Sequence, residues 1–198
     1  MANAVALDQL APGRRERNKL EKQARIVWAA RQLFHRQGFA ETTTQQIAVE
    51  ADIGTGTLFL YAKCKEDLLI MVFKDEMLET VREIFARLSP KASPVDQLMA
   101  VFEHMMAYHA RDIDLSRVLL RELVMPSSLD RRGDVTELMD AIYSGLMDIV
   151  RPVADEPEVA ARSAFALYYF ALISWLGRGF ERRAALTHLR TQLSGLLK

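Results

Sequence analysis

The chain predicts an all-α fold of about nine helices, and three observations carry that expectation. Apolar residues recur three, four and seven positions apart in segment after segment, the spacing of one helical face. Glycines, prolines and Ser-Pro pairs interrupt these segments at helix-length intervals. No stretch alternates apolar and polar residues between turn signals, as a half-buried strand would. The sequence is 198 residues long and 50% hydrophobic, enough for one large domain or two small ones with a sizeable core.

Residues 1–13 read as unstructured up to "APG", followed by a basic entry, "RRERNK". Ile26, Ala30, Leu33 and Phe34 form the stripe of a first helix, which "QGF" should end at Gly38. Thr42, Thr43 or Thr44 can cap a second helix whose inner face is Ile47, Ala48 and Ala51. The turn "DIG" leads to a short third helix anchored by Leu58. "CKEDLL" opens a long fourth helix with Ile70, Phe73, Met77, Val81, Ile84 and Leu88 on one face. "SPKASP" (Ser89 to Pro94) is the clearest break, and its Ser-Pro pair restarts a helix with proline in the first turn. Val95, Leu98, Phe102 and Met105 carry the fifth helix. The sixth should run from about Leu115 to Val124, stopping before "MPSS". A seventh follows "DRRGD" with Leu138, Ile142, Leu146 and Ile149, and ends near Pro152. The eighth, from about Pro157 to Leu176, is apolar nearly all round. The ninth places Leu186, Leu189, Leu193 and Leu196 at helical spacing.

Formal net charge is zero, which argues against an indiscriminate polyanion binder. The distribution is uneven, however. Residues 1–65 hold ten Lys and Arg against six Asp and Glu, and residues 66–198 hold sixteen against twenty. A basic first third on an acidic remainder is the asymmetry of a chain whose one end meets nucleic acid; chance variation among solvated faces is the alternative. A single cysteine, Cys64, excludes an internal disulfide framework and fits a reducing cytoplasm. The N-terminus lacks the pattern of a secretory signal, and the uncharged span from Ser163 to Gly177 is shorter than the ~20 apolar residues of a membrane helix. We expect a cytoplasmic protein without a membrane partner.

The segment from Glu41 to Leu69, "ETTTQQIAVEADIGTGTLFLYAKCKEDLL", reads as a helix-turn-helix. Ile47, Ala48, Ala51 and Leu58 face inward, with Ile53 in the turn between them. Asp52 falls where a left-handed backbone is usual, a conformation that Asp tolerates better than most residues. The third helix then presents Thr55, Gly56, Thr57, Phe59, Leu60 and Tyr61, and a major groove admits a helix presented in this way. Thr44, Thr57, Tyr61 and Lys65 suit phosphate contacts that set register.

At "LFHRQGF", "TTTQQIAVEADIG" and "TGTLFLYAKCKEDLL" the sequence resembles the TetR family of bacterial transcriptional regulators. That family's signature runs "LFxxxGF" and then "TTxxxIAxxAGVSxGTLYxYFxxKxxLL". The match from Leu33 to Leu69 needs no gap, and it covers about the first third of the chain. The resemblance implies three helices for binding DNA, a fourth as link, and the rest as a ligand-receiving, dimerising domain. By position it assigns DNA contact to Thr44 and Gln45 and to Thr55, Gly56, Thr57, Phe59, Leu60 and Tyr61. It assigns phosphate contact to Lys65. The chain departs from the pattern at Asp52 (usually Gly), Gly54 (usually Ser), Phe59 (usually Tyr) and Ala62 (usually Phe). Phe59 has no hydroxyl and Leu60 offers only apolar contact, so Gln45 and the basic arm (Arg14, Arg15, Arg17, Lys19) carry more of the expected contact. That arm can equally be a solubilising tail.

These readings divide the chain into a disordered basic arm (1–18), a helix-turn-helix domain (19–64) and a helical ligand-binding and dimerisation domain (65–198). Methionines and aromatics gather in the later helices, as suits an adaptable apolar pocket; ordinary core is the plainer reading of each one singly. The ligand-lining candidates are Phe102, Met105, Met106, His109, Glu122, Met125, Met139, Tyr143, Tyr168 and Trp175, and Tyr108 and His104 are further polar candidates. His104 and His109 do not share a metal-binding spacing on one helix face, so no metal is expected, and no cofactor. Dimerisation is expected through the helices around 157–176 and 185–197, where Ala160, Ala164, Ala171 and Ser174 offer small surfaces for a partner helix. No nucleophile–base pair, phosphate loop or metal spacing speaks for an enzyme. The expected function is a ligand-responsive homodimeric repressor on a palindromic double-stranded DNA operator, released by a small apolar or amphipathic effector. The alternative is a helical interaction module that has lost specific DNA binding.

Overall fold

A computed structural model describes residues 13–125 and 135–198. Nine helices occur among the described residues, and no strand. They are α1 (Arg14–Glu41), α2 (Thr44–Glu50), α3 (Thr55–Leu58), α4 (Lys65–Arg87), α5 (Pro94–His109), α6 (Ile113–Val124), α7 (Thr136–Val150), α8 (Pro157–Arg178) and α9 (Arg182–Leu196). The chain divides into two compact units, one up to Cys64 and one from Lys65 onward.

In the first unit α1 packs on α2 and α2 on α3. The expected stripe of α1 is buried, with Val27 and Ala29 beside it. Helical geometry breaks at Gly38, whose φ of 82° lies in the left-handed region that glycine enters without strain. The hydroxyl of Thr42 donates to the Gly38 carbonyl at 2.7 Å, satisfying one of the carbonyls that this break leaves free. One expectation needs correcting at the other end. Residues 14–18, expected to be part of a disordered arm, are the first turns of α1, where Glu16 pairs with Lys19 at 3.6 Å. Residues 1–12 of that arm, Pro126 to Ser128 of "MPSS" and the "DRRGD" segment lie outside the described residues.

In the second unit α8 packs against α7 and α9, and α4 against α5 and α7. Side-chain caps start two of its helices. The Ser93 hydroxyl accepts from Asp96 N–H at 3.2 Å, and the Asp112 carboxylate accepts from Leu115 N–H at 2.9 Å. Lys74 of α4 holds Glu137, in the first turn of α7, at 2.9 Å, and Arg190 of α9 holds Asp96 of α5 at 2.6 Å. Where α4 meets α7, the Phe85 ring fills the space that a Cβ at Gly145 would need, so a glycine lets the helices close.

Helix α8 corrects another expectation. Ala160, Ala164, Ala171 and Ser174 were to face a partner helix, yet they are only 9%, 0%, 5% and 7% exposed within the single chain. Their small size lets the chain's own helices approach. The residues that α8 and its C-terminal turn leave open are large instead: Val159, Phe170 and Phe180 are each at least half exposed. On α9 the buried stripe is Ala185, Leu189 and Leu193, while Leu186 is half-buried and Leu196 is exposed. Helix α8 is long and apolar enough to span a bilayer by composition alone; here that composition fills the core of the second unit.

Candidate nucleic-acid interface and ligand cavity

Helix α2 begins with a reciprocal cap. Thr43 Oγ1 accepts from Gln46 N–H at 3.2 Å, and Gln46 Oε1 accepts from Thr43 N–H at 2.9 Å. The Gln37 amide donates to the same Gln46 oxygen at 3.1 Å. Gln46 is therefore tied to the scaffold. Its neighbour Gln45 is exposed, and its oxygen takes only the Thr44 hydroxyl, at 3.3 Å. The sequence placed two glutamines side by side; only the capping geometry tells which of them is free to meet a partner.

The turn forms as Asp52 requires. Its φ is 53°, and Ile53 N–H returns to the Ala48 carbonyl at 3.0 Å, closing the C-terminus of α2. Gly54 precedes α3 with no side-chain cap, the consequence of having Gly where the family usually has Ser. Leu58 and Ala62 are fully buried and hold the short helix down. This leaves Gly56, Phe59 and Leu60 exposed, with Leu60 at 68%, and Thr44, Thr55, Thr57 and Tyr61 half-buried. Lys65 is also half-buried; it opens α4 and so belongs to the second unit. Val49, on the outer face of α2, is 80% exposed and was not among the expected contacts. Its apolar side chain marks no face by periodicity, which is why sequence reading passed over it.

Within the second unit lies a cavity of about 210 Å³, lined mainly by side chains of α4 to α8. Of the ten expected lining residues, Met105, His109, Met139 and Tyr168 line it. Phe102 and Met106 are fully buried one layer behind; the Phe102 ring stacks on Tyr168 at 4.8 Å. Tyr143 packs edge-on against Phe165 with Arg162 over its other side, and Arg182 covers Trp175. Glu122 is buried beside Arg121 at 3.4 Å. Met125 is 75% exposed and belongs to a separate outer groove with Arg117 and Arg121. Methionine and aromatic content alone could not separate these layers. Among the residues missed, Phe73 and Met77 of α4 and Phe165 and Tyr169 of α8 sit four apart in each helix. That i, i+4 pairing of large side chains on two helices was the available signal.

The polar groups of the cavity are few. The His109 ring stacks on Phe73, and its Nδ1 lies 3.1 Å from Ser116 Oγ, which in turn donates to the His109 carbonyl at 3.1 Å. Tyr108 points elsewhere, donating to Glu76 Oε2 at 2.7 Å, and the exposed His104 ring turns back to the Ala100 carbonyl at 2.9 Å. Burial holds the His109 imidazole neutral, its pKa lowered from 6.5 to about 4. The unfolded chain thus binds a proton that the folded chain refuses between those values. Stability should be flat above pH 6.5 and fall as pH drops toward 4, by about 3 kcal/mol in total. Denaturant midpoints at pH 7 and pH ~5 in the parent and in His109→Gln check this, the variant losing that part of the slope.

Comparison with known proteins agrees with the geometry. The family model described as bacterial regulatory proteins, tetR family, matches residues 26–72, the helix-turn-helix and its flanks. The fatty acid metabolism regulator protein of Bacillus subtilis (strain 168) is 29% identical over 132 residues, covering 67% of this chain and 67% of that protein. The crystal structure of Thermus thermophilus FadR, a TetR-family transcriptional repressor in complex with lauroyl-CoA, superposes with a TM-score of 0.66 at 26% identity, over 87% of this chain and 93% of that one. A TetR regulator from Rhodococcus sp. RHA1 shares the fold with a TM-score of 0.72 at 19% identity, over 91% of this chain and 97% of that one. The relatives are regulators and not enzymes. Residues 26–72 thus carry the helix-turn-helix of the tetR family, and the chain as a whole is similar to TetR-family transcriptional regulators.

Proposed function

We propose that this chain is a cytoplasmic repressor that grips a palindromic operator as a homodimer and releases it when an acyl thioester enters the cavity of the second unit. The observation that carries the DNA half is the exposure of the Gln45 amide on α2 and of Leu60 just after α3, on helices pinned by buried Ile47, Ala48 and Leu58. An exposed amide can pair bidentately with adenine, and a leucine can meet a thymine methyl. Thr44, Thr55, Gly56, Thr57, Phe59 and Tyr61 would complete the contact surface, and Lys65 would meet a phosphate. For the effector, support comes from a nearly apolar cavity and from the lauroyl-CoA held by the Thermus relative. Phe73 and Met77, which line the cavity, stand on the helix that Lys65 begins directly after the DNA-binding unit. A ligand that shifts α4 would thereby act on a segment continuous with that unit. Release is then a population shift toward the form with lower operator affinity.

Binding-site selection with the parent and with Gln45→Ala tests the DNA half. The variant should lose about 1–3 kcal/mol on the preferred site and keep nonspecific binding nearly intact. An unchanged preferred sequence would mean that the bases are read elsewhere. No selected sequence from the parent would favour an interaction module.

For the dimer, the exposed Phe170, Arg178 and Phe180 border a groove of about 230 Å³ that α9 completes with His188, Thr191 and Gln192. Large aromatics half in water at one helix pair are what a second copy of the same surface would cover.

A further inference from the structure

Two polar side chains of the cavity are unmatched, and they differ in kind. Tyr168 is only 1% exposed, and its hydroxyl has no hydrogen-bond partner among the described residues. A buried donor without an acceptor is uncommon enough to need a reason. His109 is 3% exposed, and Ser116 decides which of its nitrogens carries the proton. The Ser116 proton goes to the His109 carbonyl, which the end of α5 leaves without a helical donor. Ser116 Oγ is then an acceptor, so Nδ1 carries the hydrogen and Nε2 keeps its lone pair. Nε2 has no partner among the described residues, so His109 brings a free acceptor and Tyr168 a free donor to a wall whose other polar side chain is Tyr169.

We infer that the effector carries a hydroxyl on its apolar body, donating to His109 Nε2 and accepting from Tyr168 Oη. A hydroxyl is both donor and acceptor, so it matches both groups. A plain methylene chain leaves both unpaired. A carbonyl or carboxylate serves Tyr168 but sets its lone pairs against those of Nε2. Sites built to bond a hydroxyl discriminate strongly against analogues that lack it, because their own groups are left unsatisfied.

The inference rests on the acyl reading above, and the test separates the two. Affinities are measured by calorimetry for lauroyl-CoA and for a positional series of its monohydroxylated thioesters. One regioisomer should bind about tenfold or more tighter than lauroyl-CoA. That advantage should vanish in Tyr168→Phe and in His109→Leu. Tyr168→Phe without ligand should melt no lower than the parent, since it removes an unsatisfied group. A series that binds as lauroyl-CoA does would overturn the hydroxyl and leave the acyl reading standing. A series in which nothing binds would overturn both. A marked loss of stability in ligand-free Tyr168→Phe would show that the hydroxyl has a structural partner, and would overturn the inference from the other side.

Discussion

Ala164→Glu is expected to unfold the second unit rather than to dissociate a dimer. Ala164 has no exposed surface, and no Lys or Arg is buried among the described residues to meet a new carboxylate. An unpaired buried charge costs several kcal/mol, a large share of the roughly 5–15 kcal/mol that holds a domain together. Circular dichroism and a denaturant titration check it: the variant should lose its cooperative transition at room temperature or show a midpoint far below the parent's. A folded, stable monomer would place Ala164 on an interface instead.

Phe170→Glu should do what Ala164→Glu does not. Phe170 is 53% exposed on α8, beside Arg178, whose guanidinium lies 5.8 Å from the ring centre. A carboxylate there stays in water, so the fold should survive with its unfolding midpoint nearly unchanged. Two copies facing each other through this surface would each bring a new charge into an apolar contact. Light scattering at micromolar concentration should show a monomer where the parent is a dimer. Operator affinity should fall by about 10²–10⁴, because two linked reading heads gain that much over one. A Phe170→Glu dimer that still binds the operator would move the interface off the α8–α9 groove.

The pair also shows where sequence reading succeeds and where it stops. Helix existence was legible because apolar spacing, capping threonines and Ser-Pro breaks all act within a few residues of each other. Asp52 could be read in the same way, since its left-handed turn is a local property. The faces of α8 could not. A helix that is apolar all round carries no periodic mark separating its core side from its open side, and small residues serve close packing within a chain as well as between chains. Ala164, expected to face a partner helix, is therefore core, and Phe170, to which the sequence reading assigned no role, is open. The cavity followed the same rule. His109 and Tyr168 were expected on chemical grounds and do line it, whereas Met125 and Trp175 have the same chemical character but sit outside it. Position across several helices decides that, and no single stretch of sequence records it. At the DNA-facing end, Gln45 and Gln46 differ only through the capping box that binds one of them.

We propose that one chain reads DNA through α2 and α3 and is released by a ligand held in the second unit. A mobility-shift titration tests it most directly, using the operator obtained by selection and adding lauroyl-CoA and its hydroxylated forms to the preformed complex. The expected result is a salt-sensitive complex of two chains per palindrome that dissociates as thioester is added, while Gln45→Ala fails to form it at the same concentration. A complex that forms with the same affinity on any DNA, or that persists at saturating thioester, would contradict it.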